Sequence, residues 1–196
     1  MAGEVRLDAE FFARPTVEVA RDLIGRRLVR RLDGARLSGL IVEAEAYVGE
    51  GDSACHASRG CTPRTRVMYG PPGRYYVYLI YGMYHMLNIV TAREGAPEAV
   101  LVRALSPREG ISKMRALRNG APRSRLADGP GKLCRALAVD MAFNGVSVEN
   151  DRLWLEAGVA VPRSWIQASP RIGIDYADEA DRIKPWRFHV DPGLLD

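Results

Sequence analysis

The pattern of hydrophobic and polar positions predicts that the first quarter of the chain folds as a short helix followed by two strands. Between residues 15 and 24 the apolar side chains fall on one helical face, and a glycine suited to a helix C-cap follows. Residues 26–32 and 36–47 flank Asp33 and Gly34, a pair typical of the type I′ turn that joins antiparallel strands. We therefore expect a β-hairpin directly after the helix.

Three further signals lie in the second half of the chain. The sequence Ser-Pro-Arg-Glu at 106–109 has the form of a capping box and predicts a helix through residues 111–117. The sequence Gly-Pro-Gly-Lys at 129–132 precedes a second helix over residues 133–139, either as a plain turn or as an N-terminus that binds an anion. Residues 186–190 alternate like a closing strand.

Strands mixed with a few helices, without regular βαβ alternation, favour an α+β fold with a mainly antiparallel sheet. A chain of 196 residues, 47% hydrophobic and 27% charged, is expected to form a single domain over residues 1–196. The N-terminus lacks a secretory signal, and the apolar stretch 76–90 is shorter than the roughly 20 residues of a membrane helix. We expect no membrane partner.

The composition indicates the cellular compartment of the protein more clearly than it indicates its activity. The three cysteines, Cys55, Cys61 and Cys134, form no Cys-x-x-Cys pair, which favours a reducing compartment and a cytoplasmic location. The net charge of +4 arises from 25 Arg and 3 Lys against 24 acidic residues. Arginine suits phosphate contacts, although a GC-rich genome gives the same bias.

Motif searches exclude several classes of protein. Gly-x-Ser-x-Gly, Walker A and Gly-x-Gly-x-x-Gly sequences are absent, which argues against serine hydrolases, NTPases and dinucleotide enzymes. Cys55, His56 and Cys61 cluster, but they lack the paired spacing of structural zinc ligands and the zinc deaminase pattern. We therefore expect no metal ion.

Two segments carry candidate chemistry. On a strand, Glu43, Glu45 and Tyr47 share one face, and this strand runs into a glycine-bearing loop that contains His56. The glutamates either face solvent or serve a site at the end of the strand. Five of the eight tyrosines lie within residues 75–84, where they either decorate an apolar strand or line a pocket for a flat ligand such as a nucleobase.

The order of the motifs distinguishes these alternatives. The sequence E-A-E-A-Y-x-G is followed by H-A, T-P-R, Y-V-Y-L-I-Y-G-M-Y-x-x-x-N and V-L-V-R-A-L. Together with S-P-R-E-G, G-P-G-K-L-C and K-P-W-R-F, this series resembles the alkyladenine (3-methyladenine) DNA glycosylase family over nearly the whole chain. The resemblance implies a curved, mainly antiparallel sheet flanked by several helices, with a protruding β-hairpin that intercalates into DNA.

The resemblance also implies an activity. Members of the family flip alkylated or deaminated purines out of duplex DNA and hydrolyse the N-glycosidic bond with water. They leave an abasic site, have no lyase step and need no metal or cofactor. The expected partner is double-stranded DNA that contains damaged purines. We expect a monomer in the cytoplasm, associated with the nucleoid if the source is bacterial.

Position within the motifs assigns a role to individual residues. Glu45 resembles the general base and Arg103 the residue that helps to position the attacking water. The flipped base is expected between Tyr47, His56 and Tyr78, with Asn88 obstructing the amino group of normal guanine. Tyr81 and Met83 are expected to fill the gap in the duplex, and Arg59, Arg64 and Lys132 to contact the DNA backbone.

Two positions depart from the family pattern. Cys61 stands where a basic residue is frequent, and Thr65 where an asparagine is common, so DNA affinity is the property that these changes put in question. Two alternatives remain: a binding module for distorted DNA without catalysis, and an enzyme that acts on RNA. Glu45 and Arg103, both retained, argue against the first, and competition between DNA and RNA duplexes tests the second.

Overall fold

A computed structural model describes residues 5–195 of the chain, which combine one sheet with several short helices. The described α-helices are α1 (Ala9–Phe12), α2 (Thr16–Asp22), α3 (Ile111–Leu117), α4 (Pro130–Ala136) and α5 (Glu179–Arg182). The strands are β1 (Arg27–Leu32), β2 (Ala35–Val48), β3 (Tyr75–Ile80), β4 (Tyr84–Thr91), β5 (Glu98–Glu109), β6 (Leu153–Glu156), β7 (Gln167–Ser169) and β8 (Arg187–His189). The expected α+β class with a mainly antiparallel sheet is confirmed.

The long strand β2 organises the sheet. In the order β3-β4-β5-β2-β1-β6, one edge of β2 pairs with β5 along most of its length. The other edge pairs first with β1 and then, near the end of the strand, with β8, which also pairs with β7. Every one of these pairings is antiparallel, so residues 187–189 lie beside the last third of β2 although they come from the far end of the chain.

A β-bulge in the middle of β2 determines which side chains face the core. The register with β5 shifts between Ile41 and Glu43, and both Ile41 and Val42 belong to the main core. An extra residue of this kind exchanges the two faces of a strand. Beyond the bulge, Ala44 and Ala46 therefore face the core while the odd-numbered residues face the opposite side of the sheet.

Helices cover one face of the sheet and a loop covers part of the other. Helix α2 packs on β2 and α4 packs on β4, and together they bury the main apolar core against the sheet. On the opposite face, residues 55–69 pack over β3, β4 and β5 through a smaller apolar cluster. Among residues 5–195, no helix has the length and apolar character needed to cross a bilayer.

Most local expectations are confirmed. Helix α2 lies within residues 15–24, and the strands on either side of Asp33 and Gly34 form the expected hairpin. Both turn residues have positive φ, 50° and 76°, as a type I′ turn requires. The closing strand appears as β8, and the second predicted helix appears as α4, which begins at Pro130 rather than at residue 133.

The capping-box prediction for residues 106–109 is wrong. These residues are the end of β5, and helix α3 begins only at Ile111, after Gly110. Pairing with β2 occupies this segment, and Pro107 lies at a register shift, where its missing N–H is tolerated. Gly110 has φ +69°, and a Cβ there would lie 2.8 Å from the Arg36 carbonyl oxygen, so glycine alone allows the turn.

Candidate active site

A single row of paired residues crosses five strands and supplies one wall of the site. Register partners in an antiparallel sheet share a face, so their side chains lie side by side. The row runs through Tyr76, Asn88, Leu101, Glu45 and Arg187, on β3, β4, β5, β2 and β8 in turn. Residues distant in sequence thus converge on the face that the helices leave uncovered.

The carboxylate of Glu45 is enclosed and held by three donors. Its side chain is 0% exposed, and Oε2 accepts hydrogen bonds from the Tyr47 hydroxyl at 2.9 Å and from Arg103 Nη1 at 3.2 Å. Oε1 accepts the backbone N–H of Ile172 at 2.8 Å. Burial raises the pKa of Glu45 above its usual value. Arg103, the Ile172 N–H and Tyr47 act in the opposite direction but do not cancel this effect. A carboxylate in this position is oriented and suited to accept a proton.

Arg103 connects Glu45 to a second carboxylate. Its Nε donates to Glu43 Oε1 at 2.8 Å, and Arg187 Nε donates to the same oxygen at 2.6 Å. Burial tends to raise the pKa of Glu43, but Arg187 and Arg103 together lower it. The alternative in which both glutamates face solvent is therefore wrong: Glu45 is buried and Glu43 lies between two guanidinium groups.

Aromatic side chains line a cavity of about 670 Å³, within the size range of ligand pockets, and Arg103 and Ile172, which both donate to Glu45, also border it. Tyr47, His56 and Tyr78 all border it, and the His56 ring lies 4.6 Å from the Tyr78 ring at an angle of 73°. His56 Nδ1 is 3.0 Å from the Tyr76 hydroxyl. Burial lowers the pKa of His56 to about 4, with Arg64 and Arg59 acting in the same direction.

Asn88 borders the same cavity from β4. It is buried, and its Nδ2 donates to the Tyr76 carbonyl at 3.0 Å, which fixes the orientation of the amide. The tyrosine cluster divides by strand alternation: Tyr76 and Tyr78 face the cavity, whereas Tyr75 lies in the main core and donates to the Leu153 carbonyl.

The hairpin of β3 and β4 presents its tip to solvent beside the cavity. Tyr81 is 81% exposed and borders the cavity, with φ +52° in the left-handed region. Met83 is also exposed but lies outside the cavity lining. Gly82 between them likewise has positive φ, so the tip is a tight turn that projects two large side chains.

The three cations expected at a DNA backbone occupy different surroundings. Arg59 and Arg64 border the cavity, and the Arg64 guanidinium lies 4.9 Å from the Tyr78 ring centre. Lys132, in the first turn of α4, instead forms an ion pair with Asp128 at 3.0 Å. The structure therefore groups two of the three at the cavity and leaves the third outside its lining.

The remaining sequence candidates have structural explanations. Cys55 is buried with its Sγ 3.8 Å from the Pro97 carbonyl, and Cys61 is exposed. Among the described residues, no cluster of three His, Cys, Asp or Glu side chains could hold a metal ion. Thr65 is buried and its hydroxyl donates to the Gly60 carbonyl at 3.0 Å, so this departure closes a local loop.

Sequence reasoning missed the segment that follows β7. Arg171 forms a buried ion pair with Asp52, and Ile172 supplies a donor to Glu45. Tyr176 borders the cavity and donates to the Ala54 carbonyl at 2.8 Å. The donor of Ile172 is a backbone N–H, which every residue except proline has, so the sequence cannot single it out. The acidic partner of Arg171 lies more than a hundred residues away in sequence, so no local motif joins the two. The assembled site combines an aromatic cavity of the size of a ligand pocket with a buried carboxylate that residues of the cavity wall hold in place.

Comparison with known proteins gives this chemistry a class. The chain matches the family described as methylpurine-DNA glycosylase over residues 10–192. A protein of Methanocella arvoryzae named "Putative 3-methyladenine DNA glycosylase" is 54% identical over 185 residues, which cover 93% of this chain and 91% of that protein. Proteins of the same name from Bacillus cereus (strain B4264) and Chlorobaculum parvum are each 47% identical, over 92% and 94% of this chain and 93% and 87% of theirs.

The site and these relatives define a DNA N-glycosylase, a hydrolase of DNA repair. The chain belongs to the methylpurine-DNA glycosylase family.

Proposed function

We propose that this enzyme releases alkylated and deaminated purines from duplex DNA with a water molecule activated by Glu45. The substrates are 3-methyladenine, 7-methylguanine, hypoxanthine and ethenoadenine. The observation that carries the proposal is the enclosed Glu45 carboxylate, held by three donors next to an aromatic cavity. The reaction leaves an abasic site, includes no lyase step and uses no metal or cofactor.

The proposed reaction breaks the N-glycosidic bond and forms a bond between C1′ and a water oxygen. The bonding electrons leave with the base while the sugar develops oxocarbenium character. The Glu45 carboxylate stabilises this cation through its negative charge, and one of its oxygens accepts the water proton as the attack proceeds. Arg103 holds the carboxylate in place through its hydrogen bond.

The cavity supplies recognition of the base. We place the flipped purine against Tyr47 on one side and His56 and Tyr78 on the other, since all three rings border the cavity. Electron-rich aromatic faces favour a cationic alkylated base. Asn88, fixed by its bond to the Tyr76 carbonyl, lies where it can obstruct the amino group of normal guanine.

The hairpin tip and the neighbouring cations supply contacts to the duplex. Tyr81 fills the gap left by the flipped nucleotide, with Met83 beside it, which offsets part of the cost of unstacking. Three cations contact phosphates: Arg59, Arg64 and Lys132. These contacts fix the position of the protein along the duplex but do not recognise the base sequence. A monomer in the cytoplasm, associated with the nucleoid in a bacterium, suffices for this function.

The test compares the wild type with Glu45→Gln on duplexes that carry ethenoadenine, hypoxanthine or no lesion, and on methylated DNA. Released base and abasic sites are counted in the presence of EDTA. We expect release from damaged substrates by the wild type and a rate about 100- to 10,000-fold lower for Glu45→Gln, because the general base is lost. Binding of damaged DNA should persist in the variant.

Glu109→Gln is the matched control, since Glu109 pairs with Arg36 on the part of the sheet away from the cavity and should leave base release unchanged. Tight binding of damaged DNA by a wild type that releases no base would instead identify a binding module. Preference for a matched RNA duplex would redirect the proposal to RNA.

A further inference from the structure

Arg171 and Asp52 form an ion pair that the protein encloses completely. Arg171 Nη1 donates to Asp52 Oδ2 at 2.5 Å and Nη2 to Oδ1 at 2.8 Å, and the exposed fractions of the two side chains are 0% and 1%. Removing two charges from water is costly, and apolar side chains of similar volume often give equal or greater stability. The pair is therefore explained better by the groups that it holds in place than by a gain in stability.

The pair fixes the backbone on both sides of Tyr47. Arg171 Nη1 also donates to the carbonyl of Ala46 at 2.9 Å. Asp52 Oδ2 accepts the N–H of Val48 at 3.0 Å. The two peptide groups that flank Tyr47 are therefore both anchored to one buried pair of charges.

Arg171 also reaches the reactive groups of the site. Its guanidinium lies over two aromatic rings, 4.9 Å from the ring centre of Tyr47 and 5.1 Å from that of Trp186. The next residue, Ile172, donates its N–H to Glu45 Oε1 at 2.8 Å. One buried side chain thus sets the position of both the proposed stacking ring and a hydrogen-bond donor of the proposed general base.

We propose that Arg171, paired with Asp52, is a positioning residue for base release: it orients the Glu45 carboxylate through the Ile172 N–H and the Tyr47 ring through its guanidinium. Arg171 itself contacts neither the base nor the water. The inference rests on the proposed function of the same cavity and assigns a role to a side chain outside the expected catalytic set.

Loss of this positioning changes the acidity of Glu45 in a defined direction. The Ile172 N–H lowers the pKa of Glu45 against the burial that raises it. A displaced Ile172 therefore raises that pKa and moves the acid limb of the reaction to higher pH. The other charged or titratable groups that face Glu45 are Glu43 and Tyr47 on β2, Arg103 on β5, Arg187 on β8, Tyr78 on β3, and Arg171 and Tyr176.

The test uses Arg171→Lys in the full chain, because lysine keeps the charge next to Asp52 but cannot form the two-pronged contact or lie flat on Tyr47. Single-turnover base release is measured from pH 5 to 9 with excess enzyme on ethenoadenine DNA, together with Kd and Tm. We expect a rate about 10- to 100-fold lower, an acid limb at higher pH and a nearly unchanged Kd.

Two further variants separate positioning from folding. Arg36→Lys weakens the pair of Arg36 with Glu156 on the same sheet, away from the cavity, and should lower Tm while leaving the rate and pH profile as in the wild type. The neutral pair Arg171→Met with Asp52→Asn removes both buried charges, so it keeps the test available if the lysine variant fails to fold; it should show the same slow release and shifted profile.

A folded Arg171→Lys protein with the wild-type rate and pH profile overturns the inference and leaves the proposed function intact. So does a neutral pair that releases base normally. A wild type that releases no base from any damaged substrate overturns the proposed function and this inference together.

Discussion

His56 contributes a neutral ring to the cavity wall. Its Nδ1 contacts the Tyr76 hydroxyl, and burial, reinforced by Arg64 and Arg59, lowers its pKa to about 4. At neutral pH the imidazole therefore carries no charge. A cationic alkylated base would meet an electron-rich ring at this position rather than an imidazolium that repels it.

We expect NMR titration of His56 to give a pKa near 4 and no change in its ring signals between pH 6 and 8. The unfolded chain titrates near 6.5, so His56 supports stability fully above that pH, and this contribution falls as the pH drops from 6.5 towards 4. His56→Phe should remove that part of the pH dependence of unfolding. A measured His56 pKa near 6.5 in the folded protein contradicts the expectation.

Single residues also show how much of the candidate site could be predicted from the sequence. The family motifs predict site roles for Glu45, Arg103, Tyr47, His56, Tyr78 and Asn88, and the structure brings these residues together around one cavity or directly behind its wall. The Ile172 N–H and the partnership of Arg171 with Asp52 could not be predicted. Both depend on where the chain returns after β7, which no local pattern specifies.

Elements with local signals were predictable, and elements set by their neighbours were not. The turn at Asp33 and Gly34 and the helical stripe of α2 are encoded within a few residues. The bulge of β2 depends on the register with β5, and the same pairing overrides the capping signal at residues 106–109. Long-range pairing thus decided the cases in which local chemistry gave the wrong answer.

The β3–β4 hairpin tip is expected to serve binding rather than stability. Tyr81 is exposed and holds a left-handed conformation that costs a non-glycine residue about 1 kcal/mol. Tyr81→Gly should therefore leave the free energy of unfolding unchanged or raise it slightly. Binding of damaged duplex should weaken about tenfold or more, since stacking contributes about 1–3 kcal/mol per base.

Tyr81→Phe retains the ring and is the control, with expected affinity close to that of the wild type. Affinity is measured in the Glu45→Gln background so that the base is not released. Equal affinities of Tyr81→Gly and Tyr81→Phe for damaged DNA would show that the tip does not enter the duplex.

At the scale of the whole molecule, the pairing of the charges says more about contacts with DNA than the net charge of +4 does. Many arginines are neutralised by carboxylates or lie on aromatic rings, as with Arg36 against Glu109 and Glu156. Lys132 is held by Asp128 at the start of α4. A phosphate at this position must compete with that carboxylate for the ammonium group.

Asp128→Asn should therefore tighten binding to undamaged duplex DNA at low salt, because the phosphate contact of Lys132 then no longer competes with the Asp128 carboxylate. The slope of log K against log salt concentration should steepen by up to about 0.9, the value for one full phosphate contact. Titrations at several salt concentrations measure both effects. Adding Lys132→Ala should abolish them, whereas a persisting gain would mean that Lys132 is not the contact.

The row that joins Glu45 to Arg187 makes enzymatic competence depend on strand β8. Glu45 lies on β2, but its neighbour in the sheet comes from β8, well over a hundred residues later in the sequence. Until β8 has been synthesised and has paired with β2, Glu43 lacks its contact with Arg187 and the polar network is incomplete. A nascent chain that still lacks β8 is therefore expected to be inert towards the genome, and base release arises only once this strand has joined the sheet.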